Sequence, residues 1–383
     1  MQWPSWEIGR ALGIPIRIHA SWFLIFFFVT SSLASGFLPD SLPGLPSERY
    51  WAMGAVSAVL LFLSVLIHEL GHSYVALRYR IPISQITLFL FGGVAHMREE
   101  SPHPRAELLI AVAGPAVSLA IGGVCLGLVG VAEAVGEASS WQGLLVLGGL
   151  LGSVNVQLGL FNLIPGFPLD GGRVLRAGLW AWGKDFYRAT VQASYVGQVF
   201  GVLLGLAGVM VMIGGLSGDL PDSMASTGFW VVILATFLFA TALSSRRQAR
   251  VRQSLAAVPV RDLMVQHVVS IPPDCTVAEA VDQYFVPHGY GGFPVVAEGQ
   301  VQGLVTVADV QAVPQSLWTW KSVRQVMREA RPSLLIEPNA PVLEAMQRMV
   351  QAGWDRLIVV EEGQVVGLVT HSVILHYLQL HQS

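Results

Sequence analysis

The chain has 383 residues, of which 53% are hydrophobic and only 12% charged. Soluble domains usually carry about 25% charged residues, so an evenly solvated enzyme and a disordered chain are both excluded. The 22 basic and 25 acidic residues leave a formal charge of −3 and no basic footprint for nucleic acid, which is not an expected partner.

The average hides a step. The first 245 residues hold 24 charged side chains and the last 138 hold 23. We therefore expect a polytopic α-helical membrane part over 1–245, a basic linker over 246–258, and a soluble part beyond it. The two cysteines, Cys125 in an apolar run and Cys275 in the tail, are not expected to pair, so nothing points to an oxidising compartment.

A spanning helix needs about 20 mostly apolar residues. Six charge-free runs meet that length: Ile18–Pro39, Tyr50–His68, Leu108–Ala132, Ala138–Leu169, Ala189–Gly218 and Ser223–Ser245. The first is longer than a signal-peptide core and lacks a small-residue cleavage site, so it is expected to stay. The fourth is too long for one plain helix.

The second run ends in His68-Glu69-Leu70-Gly71-His72. Residues i and i+4 share a helix face, so the two histidines can bind one metal ion, and neutral imidazole suits zinc. Glu69 beside them can act as general base toward a metal-bound water. A charged residue inside a span is costly, which favours function over chance. Between the second and third runs, Ile83–Met97 reads as a β-hairpin, with β-prone Ile86-Thr87-Leu88-Phe89 and a Gly92-Gly93 turn before Val94. Ala113-Gly114-Pro115 in the third run reads as a packing motif, and His19, His96 and His103 as hydrogen-bonded or loop histidines.

The fourth run closes within Phe161-Asn162-Leu163-Ile164-Pro165-Gly166-Phe167-Pro168-Leu169-Asp170-Gly171-Gly172-Arg173, with Asp170 at its end. Its prolines and glycines break the helix, and broken backbone at membrane depth is tolerated only against protein or a watery cavity. Asp170 should lie at such an opening and is the candidate third ligand of a zinc site that keeps one open position. Zinc with Glu69 and Asp170 leaves a site near neutral, the charge state a low-dielectric interior tolerates best. Asn155 is read as packing.

Basic residues fix the orientation. Alternating spans send Arg10, Arg17, Arg78, Arg80, Arg98, Arg105, Arg173, Arg176, Lys184, Arg188, Arg246, Arg247, Arg250 and Arg252 to one side. The other side receives only Arg49, with acidic loops around Glu133, Glu137, Asp219 and Asp222. Both termini are therefore expected in the cytoplasm, in a multi-pass protein of the cell (inner) membrane. Arg246–Arg252 should lie at its anionic inner surface.

His68-Glu69-Leu70-Gly71-His72 followed about a hundred residues on by Asn162-x-x-Pro165-x-x-Pro168-Leu169-Asp170-Gly171-Gly172 resembles the site-2 protease family of intramembrane zinc metalloproteases. The resemblance implies one zinc per chain on His68, His72 and Asp170, with Glu69 as catalytic base. It implies that Asn162 hydrogen-bonds substrate backbone or a developing oxyanion. It also implies that the Gly92-Gly93 hairpin receives the unwound substrate as an added strand. The substrate class implied is a transmembrane or membrane-anchored regulatory protein.

The tail repeats itself over 260–310 and 323–373. Val260-Arg261-Asp262-Leu263-Met264 echoes Val323-Arg324-Gln325-Val326-Met327, and Gly303-Leu304-Val305-Thr306 returns as Gly367-Leu368-Val369-Thr370. Each unit reads strand, helix, strand, strand, helix, and each is too short to bury a sheet alone, so the two should pack as a pair. This resembles a tandem of CBS domains, or Bateman module, over 259–312 and 322–380. The resemblance implies an adenine nucleotide (ATP, ADP or AMP) between the repeats, with Thr306 and Thr370 near phosphate and Asp309 on the ribose. Val373 stands where the second repeat should repeat that aspartate, so at most one good site is expected. The resemblance further implies a homodimer formed through these modules. The rival reading is a CBS-gated transporter or channel with a metal site; its polar residues should line several spans, whereas here they concentrate at one depth.

Overall fold

A computed structural model describes residues 4–135, 141–221 and 223–381. Glu137 and Asp222, both placed in acidic outer loops above, lie outside the described residues, as does the start of the fourth run. The chain divides into two compact units, 1–247 and 248–383.

The first unit opens with strands β1 (Ser5–Ala11) and β2 (Ile14–His19). Helix α1 (Ser21–Ser32) passes through a π-turn into α2 (Leu38–Ser41), and α3 (Ser47–Arg78) follows. Next come β3 (Ile83–Phe89), β4 (Gly92–Met97), α4 (Pro104–Ala134), α5 (Gln142–Asn162), α6 (Asp170–Gly183), α7 (Phe186–Ser217) and α8 (Ser223–Ala257). Among the described residues six helices are long and apolar enough to cross a membrane: Ser21–Ser41, α3, α4, α5, α7 and α8. The split of large and small side chains is what lipid demands. On α7 Val199, Leu203, Leu206, Met210 and Ile213 are exposed, while Gly197, Gly201, Gly208 and Gly215 are buried where α8 or the 163–169 loop comes close.

Two expectations change here. The hairpin turns on Leu90-Phe91; Gly92 and Gly93 are already in β4, paired with Phe89 and Leu88. Asp170 does not end the fourth span. After α5 the chain breaks over 163–169, with a cis Phe167–Pro168 peptide, and Asp170 begins the separate helix α6. The broken segment wraps back over that start so closely that a side chain at Gly171 or Gly172 would meet its backbone.

The N-terminal strands enlarge the hairpin into a sheet of order β1-β2-β3-β4, with β2 parallel to β3 and the other pairs antiparallel. Ile14 and Ile16 on β2, with Ile86 and Leu88 on β3, form its buried face. The passage from α3 into this sheet is fixed by a Schellman turn. Arg80 takes a left-handed φ of 60°, its N–H bonds to Leu77 O, and the N–H of Ile81 bonds to Ala76 O. Ile81 then packs on Ala76 and Ile110, pinning β3 to the end of the helix that carries His68 and His72.

In the second unit each half has the same parts. Val277–His288, interrupted by a π-turn, precedes β5 (Gly292–Ala297), β6 (Gln300–Thr306) and a short helix Val307–Gln311. Helix Val342–Ala352 precedes strands Arg356–Glu361 and Gln364–Thr370 and helix His371–His381. The halves exchange their leading segments. Val265 of the first pairs with Leu368 of the second, and Arg328 of the second pairs with Leu304 of the first. Ile271 and Ile336 then return to their own sheets, in parallel with Val295 and Val359. Neither half closes its sheet without the other, the physical content of a paired module.

Candidate metal centre

Three helices and one strand build the site. On α3 the i, i+4 spacing stacks the imidazoles of His68 and His72, both buried, and α6 presents Asp170 from its first turn. The three donor atoms close a near-equilateral triangle. His68 Nε2 and His72 Nε2 lie 3.2 Å apart, and each is 3.2 and 3.1 Å respectively from Asp170 Oδ2. Zinc–ligand bonds of about 2.0–2.1 Å at tetrahedral angles place ligand atoms about 3.3–3.4 Å apart. These residues therefore fit a zinc ion held from three sides, and among the described residues they form the cluster suited to a metal.

The outer nitrogens fix the rings. His72 Nδ1 donates to the carbonyl of Ile110 at 2.6 Å, and His68 Nδ1 lies 2.9 Å from Ser118 Oγ. A carbonyl can only accept, so the proton of neutral His72 sits on Nδ1 and the Nε2 lone pair faces the triangle. Both partners lie on α4, and between them stands Gly114. A Cβ there would crowd Nε2 of both histidines, so Gly114 keeps open the space a metal needs. Read from sequence as packing, this glycine is part of the site.

A cavity of about 290 Å³ opens beside the triangle, lined among others by Glu69, Gly92, Gly93, Asn162 and Arg173. Glu69 Oε2 accepts the N–H of Ala95 at 3.2 Å. Asn162 Nδ2 donates to Leu158 O at 3.0 Å, while Asn155 Nδ2 bonds Ser64 Oγ at 3.1 Å, an interhelical contact in keeping with packing. His19, His96 and His103 stand apart: His103 caps α4, His19 bonds Ser21, and His96 is near Thr87.

One and nearly two turns beyond Asp170, Arg173 and Arg176 reach back to Glu107 on α4, which is buried to 1% exposure. Arg173 Nε donates to Glu107 Oε1 at 3.0 Å, Arg176 binds the same oxygen, and Ser101 Oγ donates to the other. This cluster ties the helix of Asp170 to the helix that orients the histidines. Sequence reading missed it because Glu107 sits one residue before the charge-free run counted from Leu108; an acid flanking a span with two arginines three residues apart elsewhere was the available signal.

In the second unit Thr306 caps helix Val307–Gln311. Its Oγ1 accepts the N–H of Asp309 at 3.3 Å, and Asp309 Oδ2 accepts the N–H of Thr306 at 2.9 Å, a reciprocal capping box. Asp309 Oδ1 also takes Arg328 Nε at 2.8 Å, and that guanidinium lies over Trp354. Thr370 instead lines a cavity of about 410 Å³ with Val268, Tyr290, Asp355, Arg356 and Ser372. Arg356 grips Asp355 with two hydrogen bonds, 3.0 and 2.6 Å, which hold the Asp355 carboxyl below its usual range.

Membrane-length helices enclosing two histidines, a carboxylate and an adjacent glutamate define a multi-pass membrane metallopeptidase with a paired α/β module. The chain matches the profile of Peptidase family M50 over 56–140 and 125–207, and that of the CBS domain over 260–314 and 323–380. It is 36% identical over 376 residues to sll0528 of Synechocystis sp., covering 97% of this chain and 95% of that one. It is 31% identical to the zinc metalloprotease MJ0392 of Methanocaldococcus jannaschii, covering 98% and 96%. A solved site-2 protease from the same archaeon is 31% identical over 63% of this chain and 95% of its own, with a TM-score of 0.44. The chain belongs to peptidase family M50, the site-2 proteases, and carries a tandem CBS pair. It is a metalloprotease, and the transporter reading is not favoured.

Proposed function

We propose that the protein is an intramembrane zinc endopeptidase in which His68, His72 and Asp170 hold the metal and Glu69 is the general base. The observation that carries this is the triangle of donor atoms at 3.1–3.2 Å, with Glu69 in the cavity beside it. Bound there, zinc supplies a Lewis acid for the scissile carbonyl and a lowered pKa for a water. Glu69 takes a proton from the attacking water and returns it to the leaving amide nitrogen. Asn162 offers its side-chain amide to the substrate backbone. Gly92 and Gly93, on the outer strand of the sheet, receive the substrate as an unwound strand.

The substrate in this reading is a membrane-anchored regulatory protein, cut near the cytoplasmic face, with both termini of the enzyme in the cytoplasm of a cell inner membrane. The one-sided arginines support that orientation. Metal analysis tests the ligand set. Purified wild type should hold about one zinc per chain and Asp170→Ala clearly less; equal zinc in the two would remove Asp170 from the site.

For the CBS pair we infer a regulatory site for an adenine nucleotide at the Thr370 cavity, whose size suits a nucleotide-scale ligand and which holds an arginine beside Thr370 and Ser372. Thr306 and Asp309 offer the alternative clamp. ATP, ADP or AMP should raise the melting temperature of the full chain. Loss of the shift in Arg356→Ala supports the Thr370 cavity, loss in Asp309→Ala supports the first repeat, and no shift in wild type ends the nucleotide reading. Pairing of two chains through the same module belongs to this reading and is checked by light scattering.

A further inference from the structure

Among the described residues strand β4 is the outer edge of its sheet, since the order ends β3-β4. In an antiparallel pair, successive residues point their N–H and C=O groups alternately toward and away from the partner. The N–H of Ala95 goes to Glu69 Oε2 at 3.2 Å, so the Ile86–Ala95 pair is one whose amides face outward. Two residues on, Leu88–Gly93 is of the same kind. Gly93 and Ala95 therefore turn their backbone groups to the edge on which the catalytic cavity opens, and one of those groups is already engaged by the glutamate.

We propose that the backbone N–H of Ala95 is the positioning donor of the catalytic base. It holds Glu69 by Oε2 and leaves Oε1 directed to the water that attacks. This rests on the reading of Glu69 as base. A glutamate side chain has three torsions and reaches a proton only from one arrangement of them. An amide fixed in a sheet supplies that arrangement without a side chain of its own. Gly93 completes the seat: a Cβ there would stand 2.6 Å from Glu69 Cγ and 3.3 Å from its carboxyl carbon, so only glycine lets the glutamate lie against the strand. The edge then has two duties. Gly93 keeps its N–H and C=O for a substrate strand, while the Ala95 N–H is reserved for the base. Docking of substrate and aim of the base are thereby set by one rigid element.

The test uses the full-length zinc-loaded enzyme with a membrane-embedded reporter in micelles. Ala95→Pro removes the donor, and proline is tolerated on an edge strand where the lost N–H made no ladder bond. Gly93→Ala keeps every amide and displaces the glutamate. Both should lower kcat about 10- to 100-fold, the cost of a misplaced reacting group, with zinc content near wild type, and Ala95→Pro should leave KM near wild type as well. If Ala95→Pro folds poorly, an amide-to-ester replacement at residue 95 removes the same N–H and should give the same loss. Wild-type kcat in the folded proline or ester variant overturns the proposal. So does a raised KM with kcat intact, which would give the N–H to the substrate. If wild type itself does not cleave, the peptidase reading falls and this proposal with it; an active wild type with fully active variants sinks this proposal alone.

Discussion

The Nδ1 of His72 donates to the carbonyl of Ile110, and this bond decides which ring nitrogen the cavity sees. The matching bond of His68 is to Ser118, a side chain that can be removed. A partner that holds the outer nitrogen of a metal-binding imidazole is worth about 10- to 100-fold in metal affinity. Ser118→Ala should weaken zinc retention by that factor in chelator competition, with an unchanged fold. Unaltered retention would mean that the packing of α3 on α4 alone orients the ring.

Gly114 gives a sharper result. Its missing side chain is the space between the two Nε2 atoms. Gly114→Ala should reduce bound zinc to about a tenth of wild type or less, because the ligands cannot converge around a methyl group. Zinc content and circular dichroism on the same sample separate loss of metal from loss of fold.

Glu107 is the third case. Removing one partner from a buried ion cluster costs about 3–5 kcal/mol, since the remaining charges stay buried. Glu107→Gln leaves Arg173 and Arg176 without their acid and removes the ion-pair tie between α6 and α4. We expect a lower melting temperature in detergent and, with Asp170 on the loosened helix, weaker zinc binding. Thermal unfolding with and without added zinc measures both.

In the CBS pair, Asp355 holds the guanidinium of Arg356 that the proposed nucleotide site would use for phosphate. Its carboxyl pKa lies below the ordinary value because Arg356 donates to it. A depressed pKa means that the contact is complete above the unfolded-state pKa and is lost only as pH falls through the folded one. At neutral pH the arginine is therefore held. Asp355→Asn should release it and tighten ATP binding about three- to tenfold, read from the nucleotide-induced shift in melting temperature.

The spans and the convergence of His68, His72 and Asp170 are legible in the sequence for physical reasons. Hydrocarbon excludes charge, so charge-free runs of sufficient length show themselves, and helical periodicity alone puts His68 over His72. Asp170 announces itself as a rare acid beside broken backbone, though its place at the start of α6 does not follow from the run that stops at Leu169 just before it. The sheet is half hidden. Ile14, Ile16 and Ile18 alternate as a strand should, but the last of them also opens the first apolar run and is absorbed by it. Gly114, Ser118 and the carbonyl of Ile110 matter only because α4 crosses α3 at the histidines, a tertiary fact that no local pattern carries. The Thr-x-x-Asp of the first repeat reads equally as a ligand clamp and as a helix cap; in the structure Asp309 makes the cap and binds Arg328. The exchange of leading strands between the repeats is likewise a property of the pair, invisible in either half.

The central claim is that Glu69 moves the proton in a metal-dependent cleavage. The direct measurement is the turnover of a membrane-embedded reporter by wild type and Glu69→Gln, each shown to be folded and zinc-loaded. The amide keeps the size of the side chain and cannot accept the proton, so cleavage should fall by about 10²- to 10⁴-fold. Cleavage at the wild-type rate by a folded, zinc-loaded Glu69→Gln enzyme would contradict the account.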